Sequence, residues 1–392
     1  MTSYPSDSSG AGTKAKPPMP SLEGYLLRMV EAGASDLFLR AQSRPAYRID
    51  GRITRSDLPA PSVGQMQEYV EQVLTPLAQR RFAESPDMDV AYCAAGKRFR
   101  LNVFLQQGTP AIVARLIPSG ELDFDQLHLP AAVRKMSEAP SGLVLVVGPT
   151  GCGKSTTLAA MIHHINATQE KHIVTIEDPI EFVHEEIRSL IHQRQVGYDT
   201  ESYPTALRHV VRQSPDVILI GEMRDFESIQ TALSAALTGH LVLSTLHTNN
   251  VVQSIDRMLN YFPPEARMQA QADLAVTLVG MVSMRLLPLS DGPGRVPALE
   301  VLLGTATVRR LICEGSLVEI YDVMKRNGDI GMTTLNQSLV DLVKSGAIDE
   351  ATAMPVAPNA EEFRLNMQGM FTGIDSIDVR TEDQAKQEES DE

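Results

Sequence analysis

Residues 148–155 read GPTGCGKS, a spacing in which glycines, a lysine and a serine serve one chemical purpose. Gly148, Gly151 and Gly153 let the backbone curl with its N–H groups turned inward on a phosphate, and Pro149, Thr150 and Cys152 complete the loop. Lys154 supplies a point charge for the β- and γ-phosphates, and Ser155, followed by Thr156, supplies a hydroxyl for Mg²⁺. The pattern predicts binding of a nucleoside triphosphate, with ATP and Mg²⁺ as the ligands.

Three further blocks carry chemistry. TIEDPIEF (175–182) places Glu177, Asp178 and Glu181 at or just past the end of an apolar run, where an acid can polarise an attacking water or hold Mg²⁺. DVILIGEMRD (216–225) delivers Glu222 from a second apolar run, with Arg224 beside it. Metal-proximal acids of phosphate-loop enzymes arrive in this way, although the usual form ends in Asp. TGHLVLSTLHT (238–248) brackets a third run with His240 and His247, a pair placed to sense a γ-phosphate. As metal ligands the sequence offers Ser155, Glu222 and Asp178.

Elements that must position these groups can be read from periodicity. LVLVVG (143–148), HIVTI (172–176), VILIG (217–221) and LVLST (241–245) are short, nearly continuous apolar runs. They alternate with helical segments such as 154–166 and 226–237, as strands of a parallel sheet covered on both faces do. Before them, Leu22, Tyr25, Leu26, Met29 and Val30 recur at helical spacing. LFLR, AYRIDGRIT, MDVAYCAAGKRFRLNVFLQ and AIVARLI then read as strands and hairpins, with a helix over 63–83. From 251 the spacing is helical almost throughout, over 264–287, 305–314, 316–326, 333–345 and 349–353. The expected organisation is a leader (1–20), an α+β domain (21–118), a linker and helix (119–140), an α/β nucleotide domain (141–290), a helical region (291–370) and an acidic tail (371–392).

Composition narrows the function. A content of 43% hydrophobic and 21% charged residues is that of a soluble globular protein. The most apolar later stretch, 274–289, carries Arg285 and Pro288 and is too short to span a bilayer. Cys93, Cys152 and Cys313 are scattered without a CxxC pair, so neither zinc nor a disulfide framework is expected. A formal net charge of −14 argues against a broad nucleic-acid footprint.

Taken in order, the four blocks resemble the secretion ATPase superfamily of type II secretion and type IV pilus motors: TIEDPIE its Asp box, GEMRD its atypical Walker B, TGHLVLSTLHT its His box. GASDLFLR (33–40), KRFRLNVF (97–104) and GMTTLNQSLVDLVKSGAID (331–349) resemble the pilus-retraction ATPases of the PilT/PilU type. ATVRRLICEG (306–315) departs from the block usual in PilT, and YFPPE (261–265), SMRLLP (283–288), VMKR (323–326) and EEFRLNM (361–367) are closer to the PilU branch.

The resemblance implies an α/β fold, with a RecA-like P-loop ATPase core, an N-terminal PAS-like α+β domain and a C-terminal helical bundle. It implies a cytoplasmic homohexamer, peripheral to the inner membrane at the pilus base, that hydrolyses ATP to power pilus retraction and twitching motility. Its partners would be the inner-membrane platform protein and a possible second retraction ATPase. Arg98, Arg100 and Arg115 would close onto the phosphates, Glu177 would orient or deprotonate water, Glu222 would steady the metal shell and His247 would report the γ-phosphate. Alternatives are a pilus assembly or type II secretion ATPase, a nucleic-acid translocase, and a regulator that binds ATP without turnover.

Overall fold

The computed structural model describes residues 20–370 apart from 50, 118–122 and 293, so the expected tail and all but the last residue of the expected leader lie outside the described residues. The chain divides between residues 119 and 120 into two compact units. Among the described residues no helix is long and apolar enough to cross a membrane.

In the first unit, α1 (Leu22–Glu31) begins where the Ser21 hydroxyl accepts the Gly24 N–H, and it buries Leu22, Tyr25, Leu26 and Met29 along one stripe. Six strands follow: β1 (Asp36–Arg40), β2 (Ala46–Ile49), β3 (Arg52–Arg55), β4 (Asp87–Ala94), β5 (Lys97–Gln106) and β6 (Thr109–Ile117). They form one antiparallel sheet in the order β3-β2-β1-β6-β5-β4. The single helix expected over 63–83 is two, α2 (Val63–Val73) and α3 (Pro76–Glu84). Pro76 holds Thr75 extended, and the Thr75 hydroxyl then caps α3. Alternation along β5 sends Phe99, Leu101 and Val103 into the core with Ile112 and Ala114 of β6, while Arg98 and Arg100 take the other face.

The second unit opens with α4 (Ala131–Ser137) and builds a seven-stranded sheet from β7 (Gly142–Val147), β8 (His172–Glu177), β9 (Leu190–Gln195), β10 (Val217–Ile220), β11 (Leu241–Leu246), β12 (Leu278–Pro288) and β13 (Arg295–Leu303). Its order is β13-β12-β7-β11-β10-β8-β9, parallel except for β13. Crossovers include α5 (Lys154–Thr168), α6 (Tyr203–Val210), α7 (Phe226–Leu237), α8 (Val251–Asn260) and α9 (Pro264–Thr277). Leu143 to Val147 are buried without exposure, which explains their unbroken apolar run.

Helix was expected over 264–287 and a domain boundary at 290. The structure corrects both: helix ends at Thr277, β12 follows at once, and β13 continues the same sheet to Leu303. A run such as LVGMVSMRLL is apolar at every phase, so its periodicity does not separate a buried helix from a strand covered on both faces. Beyond it lie α10 (Ala306–Glu314), α11 (Ile320–Arg326), α12 (Leu335–Lys344), α13 (Glu350–Ala353) and α14 (Ala360–Met367). The last three pack Leu339, Ala353 and Phe363 against Leu287, Val296 and Ala298.

Candidate active site

Parallel pairing sets the site. Val147 lies opposite Leu246, Ile220 opposite Ser244, and Ile176 opposite Ile220, so β7, β8, β10 and β11 end together. Glu177 is the last residue of β8, and Gly148, Glu222 and His247 lie just past the other three ends, at the carboxyl edge of an open α/β sheet, where ligands bind.

The loop 148–153 joins β7 to α5. Gly148 has φ 145°, and a Cβ there would lie 2.6 Å from both the Cys152 Sγ and the Met284 carbonyl oxygen, so the loop closes this tightly only with glycine. Gly153, at φ 101°, is the N-cap of α5, and no side chain caps that first turn. Backbone N–H groups and the helix dipole thus face the cradle, which fits a phosphate. Lys154 Nζ donates to the carbonyls of Gly148 at 2.9 Å and Pro149 at 3.0 Å. Burial pulls the Lys154 ammonium below its ordinary value, opposed by Cys152 and by the carboxylates of Glu222 and Glu181.

Lys154 Nζ lies 3.4 Å from His247 Nδ1, His247 Nε2 lies 3.3 Å from Glu222 Oε2, and Arg224 Nη2 reaches the same oxygen at 2.7 Å. An ammonium has no acceptor, so the first contact needs an unprotonated Nδ1; the proton of a neutral ring then sits on Nε2 and points at Glu222. Lys154, His247, Glu222 and Arg224 form one relay. Arg257 Nη1 donates to the His247 carbonyl at 3.1 Å and holds the loop behind it.

The Asp box divides its acids. Glu177 Oε1 accepts the Thr175 hydroxyl at 2.6 Å and the Gln193 amide at 3.2 Å, and the Glu181 backbone also bonds this carboxylate. Burial nevertheless pushes the Glu177 carboxyl up. The charge of Glu181 opposes the fall of the Lys154 ammonium. Asp178 is exposed and acts on Tyr203 and Arg224. Ser155, in the first turn of α5, and Glu222 are the oxygen donors suited to a hard cation at this edge.

His240, also expected at the nucleotide, is not gathered here. His240 precedes β11, where its Nδ1 contacts the Ala235 carbonyl at 2.9 Å and the Thr238 hydroxyl at 3.2 Å. The six residues of β11 separate it from His247 by about 23 Å at about 3.3 Å per residue step. Expecting His240 at the nucleotide is therefore corrected: two histidines flanking a strand lie at opposite sheet edges. In the first unit, Arg100 and Arg115 are cross-strand partners with Arg98 two residues along the same face. Arg100 pairs with Asp89 at 2.8 Å, Arg115 with Asp36 at 2.9 Å, and Arg98 Nη1 lies 3.9 Å from Cys93 Sγ.

Two residues outside any motif join the site. Burial pushes the Tyr203 phenol up, reinforced by Asp178, Glu177 and Glu222. Arg285 donates to the Asn249 carbonyl at 2.8 Å, and its charge acts on Lys154 and Cys152. Nothing local in the sequence marks Tyr203; Arg285 stands out only as the one charge in an apolar run.

Residues 13–291 match the family described as Type II/IV secretion system protein. The chain is 42% identical over 332 residues to the type IV pilus retractation ATPase PilT of Pseudomonas aeruginosa, covering 84% of this chain and 96% of the relative. It is 40% identical over 344 residues to the type IV pilus ATPase PilU of that organism, covering 88% and 90%. Its fold is similar to a crystal structure of the pilus retraction motor PilT with bound ADP, with a TM-score of 0.81, 41% identity, and 88% and 98% of the two chains covered.

Proposed function

The chain belongs to the type II/IV secretion system protein family, and on that premise we propose that it is an ATP-hydrolysing motor that powers type IV pilus retraction. The observation that carries the reading is the relay Lys154–His247–Glu222–Arg224, set at the mouth of a phosphate-shaped loop. Similarity to retraction ATPases over most of the chain supplies the mechanical role.

Gly148 to Gly153 and the first turn of α5 hold the triphosphate, and Lys154 neutralises charge that grows on the transferring phosphoryl group. Ser155 and Glu222 would hold Mg²⁺, which when bound adds to that neutralisation. We assign the attacking water to Glu181, because the Glu177 carboxylate is already engaged by the Thr175 hydroxyl and the Gln193 amide. When Lys154 turns to a phosphate, its contact with His247 changes, and Glu222 receives the change through Nε2. The working assembly is a homohexamer on the inner-membrane platform protein, alone or beside a second retraction ATPase.

Phosphate release by the purified protein tests the chemistry. Lys154→Ala and Glu222→Gln should each lower turnover by about 10²-fold or more, and near-normal hydrolysis by either removes the site. Loss of the gene product tests the mechanical role. Cells with excess, non-retracting surface pili support retraction, and bare cells point to assembly.

A further inference from the structure

The Asp-box turn is tied down by Gln193, a residue that belongs to none of the four motifs. Strands β8 and β9 run in parallel with Thr175 opposite Gln193 and Glu177 opposite Gln195. Thr175, without exposed surface, donates to Glu177 Oε1 at 2.6 Å. Gln193 Nε2 donates to that same oxygen at 3.2 Å and to the Phe182 carbonyl at 2.7 Å, while its Oε1 accepts the His184 N–H at 3.0 Å. With the Glu181 backbone bonded to Glu177, the chain is held at Glu181, Phe182 and His184. The backbone is thus tied at Glu181 itself and at two nearby positions after it.

We infer that Glu177 and Gln193 are positioning residues: Glu177 accepts hydrogen bonds from Thr175, Gln193 and the backbone, and Gln193 fastens the turn that carries Glu181. This rests on Glu181 being the acid that acts on water. A carboxylate busy with this many donors has little freedom to take a proton from a moving substrate. A glutamine in its place keeps an acceptor oxygen of the same reach for the Thr175 hydroxyl and the Gln193 amide. An alanine keeps none, and a displacement near 1 Å at a reacting group costs about 10²-fold in rate.

Steady-state ATP hydrolysis and equilibrium nucleotide binding by the full chain test the inference. Glu177→Gln should keep kcat within about threefold of the parent. Glu177→Ala and Gln193→Leu should lower kcat by about 10- to 100-fold while Kd for ATP stays within about threefold. Glu181→Gln should lower kcat by about 10²- to 10⁴-fold. A Glu177→Gln protein as inactive as Glu181→Gln overturns the inference, since Glu177 would then touch the reacting atoms. So does a Gln193→Leu protein with parental kcat. If Gln193→Leu does not fold, the contrast of Glu177→Gln with Glu181→Gln decides alone. Parental turnover by Glu181→Gln is a different failure: it removes the assignment of water to Glu181.

Discussion

Glu300 gives the structure a pH dependence that one substitution should erase. It sits on β13 at 1% exposure, facing the start of α8, where the Val251 N–H lies 3.4 Å from Oε2. The Tyr321 hydroxyl also bonds the carboxyl, yet Oε1 has no hydrogen-bond partner. Burial pushes the group from its ordinary 4.5 up to about 7, against the pull of Val251, Tyr321 and Arg285. Between those two values the folded state keeps a proton that the unfolded chain has released. Its contribution to stability is therefore complete below about pH 4.5 and lost as pH rises through about 7. At about 1.4 kcal/mol per pH unit, that gap corresponds to a loss of about 3 kcal/mol. Glu300→Gln has nearly the same shape and no ionisation. Urea unfolding of both proteins at pH 5 and pH 8 isolates the effect, because every other group titrates in both. The variant should exceed the parent by less than about 1 kcal/mol at pH 5 and by about 3 kcal/mol at pH 8. Parallel stability curves for the two proteins would refute the reasoning.

Replacing His247 by alanine breaks both contacts of the relay. Turnover should fall by about 10-fold or more while the affinity for ATP changes little, as checked by phosphate release beside equilibrium binding. Asp36 is buried; burial tends to raise its carboxyl, but Ser35, Arg115 and Arg48 outweigh it and hold it below its ordinary 3.8. Its stabilisation is thus present above that value and lost as pH falls. Asp36→Ala should cost about 1–2 kcal/mol at pH 7 by denaturant unfolding, a figure kept low because the side chain of Arg115 is 68% exposed. Leu243, in the middle of β11 and without exposed surface, should cost about 3 kcal/mol when cut to alanine, read as a lowered unfolding midpoint.

Much of the second unit was legible because buried parallel strands leave a plain signature. The four runs at 143, 172, 217 and 241 became β7, β8, β10 and β11, and the motif residues Gly148, Glu177, Glu222 and His247 lie at or just past their ends. Where the signature was ambiguous, the reading failed: β12 looked helical, and β9, with the polar sequence LIHQRQ, left no strand signal. The pair of acids and the pair of histidines were limited for a different reason. Spacing along the chain places Glu177 and Glu181, or His240 and His247, near the same strand end or the same strand, but not at the same point in space.

By itself, then, the sequence determined that a strand, a glycine loop and a helix would form a phosphate cradle, because the glycines at 148, 151 and 153 permit the inward-turned backbone that a phosphate needs. It also determined which strands carry acids and a histidine to the sheet. Only the tertiary structure decided which of those groups act together. Parallel register brought His247 to Lys154 and left His240 at the far edge, and a cross-strand bond from Gln193 engaged Glu177. Those outcomes depend on partners distant in the chain, and no local pattern encodes a hydrogen bond to a residue that another strand supplies.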